Sequence, residues 1–362
     1  MEELVYGLKV LKKKSETSDT VTLTFEIGEE LEKQFEYLPG QFITLHVMRD
    51  KKLYKRSYSL SSSPNETDFN ITVKKIPGGA ISGFLTDELE IGKIIPSTPP
   101  AGIFKYSSSL IKSNSLCLVG AGSGITPLFS IMKVALKDKK NVHLVYCNRN
   151  ENCIIFKDEI EALKKEFPDQ LSITDIFTQP EPNWEGLSGR PNKDTFTTIL
   201  KKQNMAEDAH FYLCGPVPFM DEARTSITNL GFDRKQIHSE DFNPIVADTS
   251  DDEDTDAVYI GDMSAKSAPG TTVNFVLNDE NFSLEIDNTK SLLDNLIEQD
   301  KNPPYSCMDG ACMACMAKIT DGLVVQDELG VLSEDSIEDK EILTCKATLA
   351  SKTATINFDD LF

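Results

Sequence analysis

Four cysteines near the C-terminus constrain this chain more than any other feature. Cys307, Cys312 and Cys315 form a C-x4-C-x2-C run, and Cys345 follows after 29 further residues. Two tetrahedral irons need four thiolates, and three from one loop with a distant fourth is a [2Fe–2S] spacing. The residues between the ligands suit that use. Gly310, Ala311 and Ala314 leave room for backbone amides to approach bridging sulfurs, while Met308, Met313 and Met316 can keep water away. A zinc site is the alternative, but zinc sites commonly use two short pairs, which this spacing lacks.

The rest of the chain must then be read around a small metal domain. At 362 residues there is room for two or three domains. A net charge of −21 argues against nucleic acid as partner, because phosphate binding needs a basic face. No apolar run reaches the length of a membrane span. The N-terminus, Met1-Glu2-Glu3-Leu4, is acidic and lacks a signal-peptide core. A cytoplasmic protein is expected, in which the eight cysteines are thiols or ligands rather than structural disulfides. No sequence signal sets the oligomeric state. The charge is uneven: residues 268–362 carry 18 acidic against 6 basic side chains, a net of −12. Such a field can steer a basic partner to the C-terminal domain.

Texture divides the chain further. Thr20–Phe25, Phe42–His46 and Asn70–Lys74 alternate and carry β-branched residues between turn signals, as expected for an antiparallel barrel or sandwich. From about residue 115, buried-type strands (Ser115–Val119, Val142–Tyr146, Ser172–Ile176, His210–Leu213) alternate with helical stretches at about 127–138 and 156–166. That alternation predicts a parallel α/β sheet. Residues 246–262 hold six acids between 248 and 256 and no base, so an exposed linker is expected there. After it come strands at 271–276 and 282–286 and a helix near 290–299, a small α+β domain.

Gly120-Ala-Gly-Ser-Gly-Ile-Thr-Pro127 follows a strand and opens a helix. Glycines let the backbone approach a pyrophosphate, and the helix start supplies unpaired N–H groups. The spacing departs from the ordinary G-x-G-x-x-G fingerprint. With the later Cys214-Gly-Pro-Val-Pro218, it resembles the pyridine-nucleotide half of the ferredoxin–NADP reductase superfamily. The resemblance implies that Gly120, Gly122, Gly124, Thr126 and Pro127 bind the coenzyme, and that Cys214, Gly215 and Pro216 lie beside the nicotinamide. Arg149, just after a strand, and Arg190 are the candidate cations for a 2′-phosphate, which favours NADPH with NADH possible. Cys117, Cys147 and Cys153 read as inert core thiols, and the four histidines show no ligand spacing.

Lys55-Arg-Ser-Tyr-Ser59 stands between Pro39-Gly-Gln-Phe42 and Gly78-Gly-Ala-Ile-Ser82. This succession resembles the flavin domain of the same superfamily. It implies Arg56 on a flavin phosphate, Ser57, Tyr58 and Ser59 on the flavin, and Val73 and Lys74 beside the ring. It also implies Gly79, Ala80, Ile81 and Ser82 at the pyrophosphate. Pro100–Phe104 would close the barrel. The loop is of the FAD type, with FMN the alternative. In Ile237-His-Ser-Glu-Asp-Phe242, Glu240 and Phe242 would approach the flavin. Throughout 268–362 the chain is similar to plant-type ferredoxin domains, with Tyr305–Cys315 as the cluster loop and Leu343-Thr-Cys-Lys346 bearing the fourth ligand.

The whole is read as multidomain. An antiparallel β-barrel for FAD spans 1–106, and an α/β parallel-sheet domain for NAD(P)H spans 107–245. An acidic linker covers 246–267, and an α+β, β-grasp ferredoxin domain covers 268–362. The order flavin, nicotinamide, ferredoxin is similar to reductases of the phenylacetyl-CoA epoxidase and ketosteroid hydroxylase type, the former favoured by the Leu-Thr-Cys segment. It implies electron transfer from NADPH through FAD and [2Fe–2S] to an oxygenase or other redox protein. A reductase of another oxygenase, and a redox-sensing or electron-distributing protein without turnover, stay open as alternatives.

Overall fold

In the computed structural model, the described residues are 5–240, 242, 258–305, 308, 310, 313–326, 332 and 334–361. They divide into two compact units: one comprises Leu4–Pro100 with Phe104–Phe242, and the other holds the C-terminal chain.

The first unit begins with six antiparallel strands. Their spatial order is Lys52–Ser59, Phe42–Arg49, Ile94–Ser97, Tyr6–Thr17, Thr20–Glu26, Phe69–Lys74. A bridge between Leu60 and Ile71 joins the two outer strands, so the sheet closes into a barrel. Leu8, Val10, Leu23, Phe25, Ile43, Leu45 and Ile71 fill its interior. Burial of each contributes about 1.5–3 kcal/mol. Pro100–Phe104, expected as the closing strand, is not one; the sheet position belongs to Ile94–Ser97. Phe104 and Tyr106 instead pack into the core of the following domain, so that core begins before residue 107.

That following domain is a six-stranded, all-parallel sheet. Its order is Leu187–Ser188, Leu171–Phe177, Asn141–Asn148, Ser115–Ala121, His210–Cys214, Ile237–Glu240. Leu116 and Leu118 face the helices Ile125–Lys137 and Lys157–Glu166, while Cys117 and Val119 face Lys193–Gln203 and Val217–Asn229. Both faces are covered, which is why the strands read as continuous apolar runs. The strand order reverses between Ser115–Ala121 and His210–Cys214. In open α/β sheets that reversal leaves a crevice beyond the strands' carboxyl ends, where ligands bind.

The second unit is a five-stranded mixed sheet and a three-stranded one. Thr272–Leu277 pairs antiparallel with Glu280–Glu285 and parallel with Thr353–Asn357. Helix Leu292–Glu298 packs Leu292 and Leu296 against this sheet, and its start is fixed by Ser291, whose hydroxyl accepts the Asp294 N–H at 3.0 Å. The three-stranded sheet corrects one expectation. Val258–Gly261 lies in the segment read as linker, 246–267, yet it pairs with Leu323–Gln326, and Ile260 is buried in the C-terminal core. The short alternation Val-Tyr-Ile follows directly on the acidic run, which masks it in the sequence. Residues 246–257 lie outside the described residues.

Candidate active site

The parallel register aligns four predicted or newly relevant residues in one row at the carboxyl edge of the sheet. Tyr146 pairs with Gly120, Gly120 with Cys214, and Cys214 with Glu240. The row crosses the topological switch point. The loop after Gly120 is held down by two bonds: the Tyr146 hydroxyl donates to the Gly122 carbonyl at 3.1 Å, and the Thr126 hydroxyl to that of Ser123 at 3.0 Å. Gly124 must be glycine, because a Cβ there would stand 2.0 Å from the Cys214 carbonyl oxygen. The loop and the Cys214–Gly215 turn therefore meet backbone to backbone. Helix Ile125–Lys137 starts here, continuous with the short turn Gly122–Gly124, with Pro127 in its first turn and the Ile125 N–H bonded to the Gly122 and Ser123 carbonyls; a glycine turn running into a helix start is a common anion site. Pro216 caps the neighbouring helix Val217–Asn229 at the same edge.

Cys214 is expected beside the nicotinamide; in the structure its side chain is fully buried in the core that holds Ile125, Leu128 and Tyr212. A central parallel strand buries both faces, so what Cys214 presents to the loop is its carbonyl. Cys117 and Cys147 match the inert reading, since burial pushes their thiols up to about 12 and about 11.

Glu240, the last residue of its strand, is linked to the barrel. The Ser59 hydroxyl donates to Glu240 Oε2 at 3.2 Å across 181 residues of sequence. Burial pushes the Glu240 carboxyl up to about 8, and the Ser59 bond only partly offsets it. At neutral pH this group mostly holds its proton, between the flavin-motif serine and the Cys214 strand. Phe242 is exposed.

Along the barrel strand, Arg56 is exposed and its Nη1 donates to the neighbouring Lys55 carbonyl. Ser57 bonds Thr44 at 2.9 Å. Tyr58 packs against the barrel core and is half-buried, with its hydroxyl pushed upward by burial. Val73 departs from expectation: its side chain is wholly inside the barrel, so only its backbone can face a ring. Lys74 points to Asp19, 3.0 Å away. Gly79 precedes the helical turn Ala80–Gly83, and the Ser82 hydroxyl accepts the Ile76 N–H at 3.1 Å, which folds the glycine loop over the turn's start. Ile81 points into the barrel core and the Gly79 N–H donates to the Ile76 carbonyl at 2.9 Å, so what the turn can offer is the backbone N–H groups after Gly79 rather than side chains.

Arg149 and Arg190 both follow a row in which Ser188, Phe177 and Asn148 are in register, so each stands at the carboxyl edge. Arg190 is exposed at the outermost strand. Arg149 Nη2 lies 3.2 Å from Asp19 Oδ2, a pairing no local pattern suggested. Nearby in sequence, Glu151 Oε2 is buried without a hydrogen-bond partner among the described residues.

Of the four cysteines expected to hold the cluster, Cys315 and Cys345 are described and Cys307 and Cys312 lie outside the described residues. The pair is brought together by Thr344, whose hydroxyl and N–H both donate to the Cys315 carbonyl, at 2.8 and 3.2 Å. Leu293, Met316 and Leu343 surround both cysteines, with Met308 and Met313 packed on the outside, as expected of a dry cluster site. Met308, Gly310 and Met313 have positive φ of 56°, 74° and 55°.

Comparison with known proteins agrees with this geometry. Family models match in the same order: an oxidoreductase FAD-binding domain at residues 7–106, an oxidoreductase NAD-binding domain at 118–225, and a 2Fe-2S iron-sulfur cluster binding domain at 275–350. The chain is 34% identical over 347 residues to the ferredoxin reductase component of a 3-ketosteroid-9-alpha-monooxygenase from Rhodococcus rhodochrous, covering 95% of this chain and 94% of that one. It is 28% identical over 359 residues to one of the subunits of the 1,2-phenylacetyl-CoA epoxidase from Escherichia coli K12, covering 98% of each. In fold, 66% of the chain superposes on 99% of a ferredoxin NADP+ reductase from Neisseria gonorrhoeae, with a TM-score of 0.58 at 20% identity. Among the described residues no helix is long and apolar enough to cross a membrane.

Proposed function

Because the chain belongs to the family of FAD-, NAD(P)H- and [2Fe–2S]-dependent reductase components of oxygenase systems, we propose that it hands single electrons to the iron centre of an oxygenase partner. The acceptor would be of the kind served by its ketosteroid monooxygenase and phenylacetyl-CoA epoxidase relatives. When bound, the flavin takes two electrons from NAD(P)H as hydride and releases them one at a time to the cluster, which a two-electron donor could not reduce directly.

The chain's own residues position these groups. The Gly120–Pro127 loop and the helix start behind it hold the coenzyme pyrophosphate. The Cys214 carbonyl and Gly215, pressed against Gly124, form the floor under the nicotinamide. Glu240 keeps a proton and a hydrogen bond to Ser59, which fixes the carboxyl end of the sheet against the flavin strand. Arg56 pairs with a flavin phosphate, and the N–H groups after Gly79 take the pyrophosphate. Arg149 and Arg190 meet the adenosine ribose. Cys307, Cys312, Cys315 and Cys345 hold the cluster. The flavin part is assigned to residues 1–106 and the coenzyme part to 107–245. The cluster part is assigned to residues 268–362 together with the strand Val258–Gly261 that pairs into it.

The observation that carries this reading is the row Gly120–Cys214–Glu240 at the switch point, tied to the flavin motif by Ser59. Anaerobic titration with NADPH or NADH tests it. Flavin and cluster absorbance should both bleach. A chain whose flavin bleaches while its oxidised cluster persists would not be a reductase of this kind.

A further inference from the structure

Asp19 sits in the hairpin between strands Tyr6–Thr17 and Thr20–Glu26, remote in sequence from every cofactor motif. Its carboxylate is held in place from three sides. Oδ1 accepts the Thr17 hydroxyl at 2.8 Å, the Thr20 hydroxyl at 3.0 Å and Lys74 Nζ at 3.0 Å. The hairpin backbone is fixed as well, because the Asp19 carbonyl accepts the Lys75 N–H at 2.7 Å. The other oxygen, Oδ2, takes Arg149 Nη2 at 3.2 Å. The two partners differ in freedom: the Asp19 side chain is 27% exposed and that of Arg149 is 60% exposed. The acid is anchored and the guanidinium is the movable member.

This matters for the coenzyme. A 2′-phosphate near Arg149 brings close to two negative charges. It must draw the guanidinium from Asp19 and then lie near a carboxylate that cannot retreat. The 2′-hydroxyl of NADH is neutral and faces neither cost. We propose that Asp19 is a coenzyme-selectivity residue: by holding Arg149 it weakens recognition of the 2′-phosphate and leaves NADH competitive with NADPH. The proposal rests on the reading that Arg149 meets the adenosine ribose.

The test uses the full-length protein and two readouts. Binding of 2′-AMP and of 5′-AMP is measured by calorimetry, and kcat/KM for NADPH and NADH is measured with ferricyanide. The variants are Asp19→Asn, Asp19→Ser, Arg149→Ala and the Asp19→Asn/Arg149→Ala double. Asp19→Asn should tighten 2′-AMP and raise the NADPH/NADH ratio by about fivefold, the upper end for an exposed ion pair, with 5′-AMP unchanged. Asp19→Ser, which replaces the carboxylate with a neutral hydroxyl oxygen that can still accept in the hairpin, should do the same, so one misfolded variant does not decide the matter. Arg149→Ala should lower the ratio, and the double variant should lose the gain. If Arg149→Ala lowers the ratio but neither Asp19 variant raises it, Asp19 has no such role. If Arg149→Ala changes nothing in either background, the ribose assignment of Arg149 is wrong and the proposal falls with it.

Discussion

A single methyl group at position 124 should disable coenzyme use while the flavin stays in place. In Gly124→Ala the new Cβ would lie 2.0 Å from the Cys214 carbonyl oxygen, 2.5 Å from its carbon and 3.0 Å from the Gly215 nitrogen. Ordinary contacts begin at about 3.5 Å, so one side must retreat by roughly 1 Å or more. Neither side is loose. Cys214 is paired in the sheet with both Gly120 and Glu240, and the loop is pinned by the Tyr146 and Thr126 hydroxyls. Overpacking of this kind costs about 1–3 kcal/mol, so the protein still folds with a lowered melting temperature. A reacting group misplaced by about 1 Å loses roughly 100-fold in rate. The assay is anaerobic stopped-flow reduction of the flavin by NADPH, with melting temperature and FAD content measured on the same sample. A variant with bound FAD that is reduced at the wild-type rate would refute the idea that this backbone contact builds the nicotinamide floor.

Other outcomes follow from the same structure. Glu240 titrates near 8 when folded and near 4.5 when unfolded, so the unfolded chain releases this proton first and stability falls as pH rises through that window. Glu240→Gln should flatten this decline in melting temperature and remove an inflection near pH 8 from the pH–rate profile; an unchanged profile would mean Glu240 does not sit at the reacting rings. Thr344→Val deletes the hydroxyl bonded to the Cys315 carbonyl, at a cost of about 1 kcal/mol, and should speed cluster loss to a chelator without slowing flavin reduction. Transfer to the oxygenase partner should slow with salt, since residues 268–362 carry a net −12 and charge is screened beyond roughly 3 Å at 1 M. Ferricyanide reduction on the same preparation should change less, and a salt-independent partner rate would leave the charge without a docking role.

What the sequence made legible was chemistry concentrated in short stretches. The x4/x2 cysteine spacing, the Gly120–Pro127 loop and the Arg56–Ser59 string each carry their reason within about ten residues, because ligands or backbone amides must converge locally. The strands with period-2 or continuous apolar pattern were also readable, as in Thr20–Glu26 and Ser115–Ala121. Contacts between remote segments were not. Nothing near Asp19 announces Arg149, 130 residues later, and nothing near Ser59 announces Glu240. Side-chain direction was equally hidden: Val73 and Cys214 stand in motifs yet point into cores, because strand register rather than motif membership decides which face a side chain takes. Val258–Gly261 was lost in the acidic run before it, although it completes a sheet whose other strands come some sixty and ninety residues later.

The central claim is that two-electron entry and one-electron exit reside in separate units of the chain. Replacing Cys315 by Ser tests it most directly, since Cys315 lies in the C-terminal unit while every flavin and coenzyme motif lies in the other. A serine oxygen is a poorer, rarely deprotonated iron ligand, so the cluster should be lost or labile. Iron content, visible spectrum, and NADPH-dependent reduction of ferricyanide and of cytochrome c are measured on one preparation. The account predicts iron loss with FAD retained, ferricyanide reduction preserved, and cytochrome c reduction collapsed. Loss of ferricyanide reduction together with the cluster, while FAD remains bound, would contradict it.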